Sequence, residues 1–205
     1  RADARLTQFL VDPLLHDAKR ARSNCCVATT LEQAVSVVVA EADEHACPVV
    51  SWSTFDRDIV RAHAGLPDEA LAVLERRYVN ALARARRWAL VWRVPLDPER
   101  TDEGHSLDRY LRATGYKLPK HIAEVVPARL PRHVRALLGS HGGRFRKVTP
   151  QAKRVWRLVR AYNRHDLLGL RHVFERVEAD LALWDGYRTG LVCVAAAGCN
   201  DGIRN

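Results

Sequence analysis

The chain has 205 residues, 47% of them hydrophobic and 28% charged, a globular composition long enough to bury a core. Its apolar runs fall short of the ~20 residues a membrane helix needs, and the charged start "RADARLTQFL" lacks the long apolar stretch of a signal peptide. The net charge of +9 is unevenly spread: from Arg112 to Arg160 thirteen Lys or Arg face one acid, Glu124, so this segment carries +12 and the rest sums to −3.

Taken in chain order, "TQFLV" within "LTQFLVDPLL" (6–15) reads as a short strand stopped by Asp12-Pro13. A polar connection, "HDAKRARSN", follows. Thr30 has the chemistry of an N-cap, and Leu31, Ala34, Val35, Val38, Val39 and Ala42 then recur at helical spacing until near Ala46. "PVVSW" (48–52) predicts a buried strand, and "STFDRDIVRAH" turns out of it into a second helix. The pattern predicts one long helix over 67–90, with Asp68 and Glu69 in its first turn and Arg84, Arg86 and Arg87 in its last, as the helix dipole favours.

"VWRVPL" (91–96) predicts another strand and "DPERTDEG" a loop. "HSLDRYLRATGY" (105–116) predicts a short helix closed by Gly115. Pro, Gly and basic residues alternate from Lys117 to Lys147, with a helix expected at 131–139. Thr149-Pro150 then opens a long helix reaching about Trp184, with a kink expected near Gly169. "GLVCVAAA" in the tail fits a strand or an unstructured end. Strands interleaved with helices indicate an α/β sheet. The expected organisation is one domain over 1–184 and a tail over 185–205. There is no Met, even at position 1, so the chain reads as processed or as a fragment.

The five cysteines, Cys25, Cys26, Cys47, Cys193 and Cys199, are odd in number and include no C-x-x-C. A disulfide framework or a zinc site is disfavoured, and reduced thiols in a cytoplasmic protein fit better. The basic segment points to an acidic partner, nucleic acid first; the plainer alternative is an ordinary Arg-rich surface.

Two pairs of residues carry candidate chemistry. Asp56, in Phe55-Asp56, follows the expected strand 48–52 and so sits at the rim of a sheet, where α/β sites form. Phe55 is expected to pack under the sheet and fix its position. The plainer reading makes Asp56 a cap of the next helix. Tyr162 and Asp166, four apart on one helix, share a face: a carboxylate can bind a metal while a phenol orients a water. The plainer reading is a half-buried tyrosine and a solvated acid. The five Trp residues could stack on bases, but at apolar-periodic positions they are more often core. The Gly-rich "GSHGGRF" is not a phosphate-binding loop, since no G-K-[ST] follows.

Together, Phe55-Asp56 and Tyr162-Asn163-x-x-Asp166 resemble two motifs of the ribonuclease H-like superfamily, the DEDD 3′–5′ exonucleases and the YprB-type domains in particular. "YN" with its spaced Asp and "LLGLRHVFERV" is similar to the last helix of those domains, and "SLDRYLRATGY" to the stretch before it. The resemblance covers roughly Leu6 to Trp184. It implies a mixed sheet flanked by helices, here lacking its first strands, and a two-metal site for Mg²⁺ or Mn²⁺. In that site Asp56 and Asp166 would be ligands and Tyr162 would position the attacking water. The substrate implied is DNA or RNA, its phosphates tracked by the basic segment through Lys117, Lys120, Arg144, Arg146, Lys147, Lys153 and Arg157.

The chain departs from that pattern in two places. The family's D-x-E is not found before Asp56, and the only D-x-E is Asp97-Pro98-Glu99, which comes in the wrong order. Ser51, Trp52 and Ser53 stand where Asn or His precedes F-D. Loss of the first two strands by truncation is the favoured explanation. The alternative is a catalytically degenerate module that binds nucleic acid without cutting it. An α/β scaffold that binds only protein is the third reading.

Overall fold

The structure, a computed structural model, describes residues 7–11, 13, 16, 26–96, 106–123, 136, 139–142 and 144–188. It is mixed α/β and mostly helical. Its strands form two separate parallel pairs: β1 (Gln8–Leu10) with β2 (Cys26–Ala28), and β3 (Val49–Ser51) with β4 (Tyr78–Asn80). Among the described residues no helix is long and apolar enough to cross a membrane. The chain divides into two compact units, one drawn from Arg1–Asn80 and Lys117–Leu168, the other from Ala81–Tyr116 and Gly169–Asn205.

In the first unit, α1 (Leu31–Glu44) begins as its sequence predicts. The Gln33 backbone N–H donates to Thr30 Oγ1 at 3.1 Å, and the Thr30 N–H donates to Gln33 Oε1 at 3.3 Å, a reciprocal capping box. Ala34, Val39 and Ala42 are its buried residues. At its other end Cys47 N donates to Ala42 O with Ala46 at φ +51°, a left-handed closure made without glycine. Such a position costs a non-glycine residue about 1 kcal/mol.

β3 follows, and then α2 (Thr54–His63) and α3 (Asp68–Arg77). The single helix expected over 67–90 is in fact two. Tyr78-Val79-Asn80 leaves the helical pattern and pairs residue by residue with Val49-Val50-Ser51. An aromatic and a β-branched side chain suit that pleated position, and tertiary pairing overrides the local helical period. α3 packs on α1, and Arg76 Nη2 meets Asp43 Oδ1 at 2.7 Å.

The core cluster of this unit joins Leu10 of β1 to Val148, Ala152, Trp156 and Val159. The last three belong to α7 (Pro150–Arg188), whose first turn is capped as expected: Ala152 N donates to Thr149 Oγ1 at 3.3 Å. β1 is also fastened to α7 by polar contacts. Gln8 Nε2 donates to Arg160 O at 3.0 Å, and Arg160 Nε donates to Gln8 Oε1 at 3.4 Å. Two short pieces, α6 (Lys120–Ala123) and a 3₁₀ turn at Phe145–Lys147, precede α7. Most of the helix expected at 131–139 lies outside the described residues.

The second unit contains α4 (Ala81–Val91), α5 (Leu107–Ala113) and the later part of α7. Ala81, Ala85 and Trp88 of α4 are buried, as are Val173, Val177 and Leu181, a stripe four apart on α7. The strand expected at 91–96 is not formed. Val91 ends α4, and Val94 N returns to Ala89 O with Arg93 at φ +47°. Gly115, at φ +77°, closes α5 as expected, with Tyr116 N donating to Leu111 O. The helix α7 continues through Gly169. A Cβ added there would lie 2.7 Å from Leu111 Cδ2, so glycine at this point admits a close side-chain approach. α7 takes in 185–188 of the expected tail; the remainder, including "GLVCVAAA", lies outside the described residues.

Candidate functional site

Asp56 is the third residue of α2, just past the end of β3. The turn between them is held by two hydroxyls. Ser51 Oγ donates to Ser53 O at 2.7 Å, and Tyr78 OH donates to the same carbonyl at 2.8 Å. The two hydroxyl oxygens are themselves 3.0 Å apart, so two protons serve three contacts. The β3–β4 register creates this arrangement by placing Ser51 and Tyr78 at opposite ends of neighbouring strands. Ser53 occupies the N-cap position in an extended conformation, but its side chain makes no capping bond.

Beside this turn lies a cavity of about 250 Å³. Phe9, Val38, Val60 and Leu74 line it together with atoms of Ser51, Asp56, Arg57 and Tyr78, and the surface it presents is apolar. The Asp56 carboxyl is raised above its ordinary value because partial burial removes water from the charged form. Its neighbour Arg57 is engaged elsewhere. The guanidinium meets Asp58 Oδ1 at 3.0 Å and Glu75 Oε2 at 3.7 Å, and lies 5.1 Å from the centre of the Tyr78 ring. Asp56 is itself exposed, so the carboxyl sits at the rim of the concave site with one side against apolar surface and the other in water.

Phe55 departs from expectation. It is 67% exposed and does not pack under the sheet. At the second position of α2 its side chain projects outward, and the turn is fixed instead by Ser51 and Tyr78. Neither of these residues was singled out by the sequence motif. The hint for Tyr78 was the β-favouring Tyr-Val pair inside a helical stretch.

Tyr162 and Asp166 lie on α7 as expected, one turn apart and both half-buried, with His165 half-buried between them. They belong to the same compact unit as Asp56. Among the described residues no group of three or more His, Cys, Asp or Glu is placed to hold a metal ion. Asp97 and Glu99 lie outside the described residues, and Cys47 is a free, exposed thiol.

The basic residues expected to track phosphates also fall in the first unit. Lys117, Lys120, Arg144, Lys147 and Arg157 are exposed. Lys153 is half-buried, with its ammonium 6.0 Å from the Phe145 ring centre. The Arg146 side chain is outside the described set. Two further cations were missed: Arg154 and Arg164 are exposed and share a helical stripe with Arg157, at offsets of three and seven. Helical spacing alone would have found them. Comparison with family models, with curated proteins and with solved structures gives no match to this chain.

Proposed function

We propose that this chain is a ribonuclease H-like, metal-dependent 3′–5′ exonuclease that acts on phosphodiester bonds of DNA or RNA. The observation that carries the reading is Asp56: an exposed carboxyl, raised by partial loss of water, past a strand exit and beside a cavity, in the compact unit that also holds Tyr162 and Asp166 on α7. The order of elements supports it, because F-D opens the helix after β3 and Y-x-x-x-D falls on the last long helix.

Asp56 and Asp166 offer the hard oxygen donors that Mg²⁺ or Mn²⁺ requires. A divalent pair of this kind supplies an activated water and stabilises the leaving oxygen of a phosphodiester. Asp56 is suited to ligation because it is open to an incoming ion and the adjacent Arg57 is paired with Asp58 and Glu75. The Tyr162 hydroxyl orients the attacking water, and helix spacing keeps it on the face that Asp166 occupies. The exposed stripe of Arg154, Arg157 and Arg164 runs along the same helix and binds phosphates without reading sequence.

The test is shortening of a 5′-labelled oligonucleotide with Mn²⁺ present. The parent protein removes nucleotides from the 3′ end, and Asp56→Asn and Asp166→Asn each abolish removal. Activity that survives both substitutions overturns the reading. Salt-sensitive binding with no shortening and no Mn²⁺ dependence would instead identify a nucleic-acid-binding module, which the Arg stripe serves without any metal.

A further inference from the structure

A second cavity of the first unit, of about 570 Å³, has no part in the proposed nuclease site. Val37, Val38 and Glu41 of α1 border it on one side, and Thr7 with Phe9 of β1 on another. The third side is the run 47–50 that leads into β3. A strand face presents alternate residues, so four consecutive residues around one space mean that the cavity follows the edge of β3. Phe9, Val38 and Val49 also border the cavity beside Asp56, so the two spaces adjoin over α1.

The backbone of β1 opens toward the same space. Thr29 N donates to Leu10 O at 3.2 Å, and the register sets Leu10 opposite Ala28. In a parallel pair one residue gives both its backbone groups to the partner strand and the next gives neither. Gln8 and Leu10 therefore face β2, while Phe9 turns its N–H and C=O away from β2, toward the cavity it borders. Val49 and Val50 are neighbours in β3, so one of them likewise turns its groups away from β4. Among the described residues no further strand pairs with β1 or β3. Parallel strands are ordinarily buried within larger sheets, and an open edge is a template for another strand.

We propose that this cavity seats an extended peptide strand of a partner protein, which pairs with the open edge of β1 alongside β3. A row of backbone N–H and C=O groups is matched by another backbone, and the side chains of the added strand supply the specificity. Those that face α1 are apolar, because Val37 is 50% and Val38 41% exposed there. Glu41 is the one charged residue on the lining. Its contact with His45 at 3.5 Å leaves it 65% exposed, so a Lys or Arg at an end of the strand completes the match. The inference stands apart from the nuclease reading and does not depend on it.

The probe is a fluorescein-labelled peptide, Lys-Val-Thr-Val-Thr-Val-Lys, followed by anisotropy. Its control is the same peptide N-methylated at every Val and Thr, which removes the backbone donors and keeps the side chains. The parent is expected to bind the probe and to bind the control about tenfold more weakly, as the loss of backbone bonds dictates. Val37→Lys, which places a charge against the apolar strand, weakens probe binding about tenfold, and Glu41→Lys about threefold. Amide exchange gives a readout that needs no variant: the peptide slows exchange at Phe9 and leaves Leu10, already in the β1–β2 ladder, unchanged. Probe and control that bind equally, or exchange at Phe9 that does not slow, overturn the proposal. So does a parent that fails to bind the probe at millimolar concentration. A parent that sediments as a dimer and is split by Val37→Lys also overturns it, since the edge would then join two copies of this chain.

Discussion

Glu178 and Asp56 are both helical carboxylates, one in each compact unit, and their surroundings are opposite. Glu178 receives two parallel bonds from Arg84, at 2.7 and 2.8 Å, and holds the guanidinium of Arg84 above its ordinary range. Asp56 faces an apolar cavity while the adjacent Arg57 turns to Asp58 and Glu75. The first carboxylate is arranged for stability. The second is exposed, with its carboxyl raised by partial loss of water and not held by the arginine beside it, an arrangement that costs some stability.

That contrast predicts substitutions of opposite sign. Glu178→Ala gives the larger effect: it removes a bidentate pair and is expected to lower stability by about 1 kcal/mol, a modest figure because both side chains are partly in water. The loss should shrink in high salt, as screening weakens the pair that was removed. An unchanged melting temperature would show that the pair contributes nothing.

Asp56→Asn gives the smaller effect and should raise stability at neutral pH. A carboxyl raised in the folded state binds its proton more tightly there than in the unfolded chain. The parent therefore loses stability as pH climbs from the ordinary 3.8 through the raised value, and the loss is complete above it. Asparagine carries no charge, so the gain over the parent is full at pH 7, fades as pH falls through the raised value and is gone below 3.8. A melt in which Asp56→Asn is less stable at pH 7 would mean that Asp56 serves chiefly to complement the N-terminus of α2.

Where local chemistry decides the structure, it was legible in the sequence. Thr30 and Gln33 cap α1, Thr149-Pro150 starts α7 and Gly115 ends α5 because each signal acts within a few residues. Where distant pairing decides, it was not. Tyr78-Val79-Asn80 sits in a helical period and becomes a strand only because Val49–Ser51 lies alongside it. "VWRVPL" has strand-like apolar content but has no partner strand among the described residues, and its first residue, Val91, completes α4 instead. β2 at Cys26–Ala28 drew no attention because three residues carry no period.

The site divides in the same way. Asp56 at a strand exit and Tyr162 with Asp166 on one helix are spacing arguments, and the elements that carry them formed as expected. The outward direction of Phe55 and the hold of Ser51 and Tyr78 on Ser53 depend on strand register, which no short motif encodes.

The central claim is that Asp56 and Asp166 hold divalent metal. It is tested most directly by melting the parent, Asp56→Asn and Asp166→Asn with and without millimolar Mn²⁺. A ligand that binds only the folded state raises the melting temperature in proportion to its occupancy. Mn²⁺ is expected to raise that of the parent and to leave both variants unmoved. Equal shifts in all three proteins, or no shift in the parent, would contradict the claim.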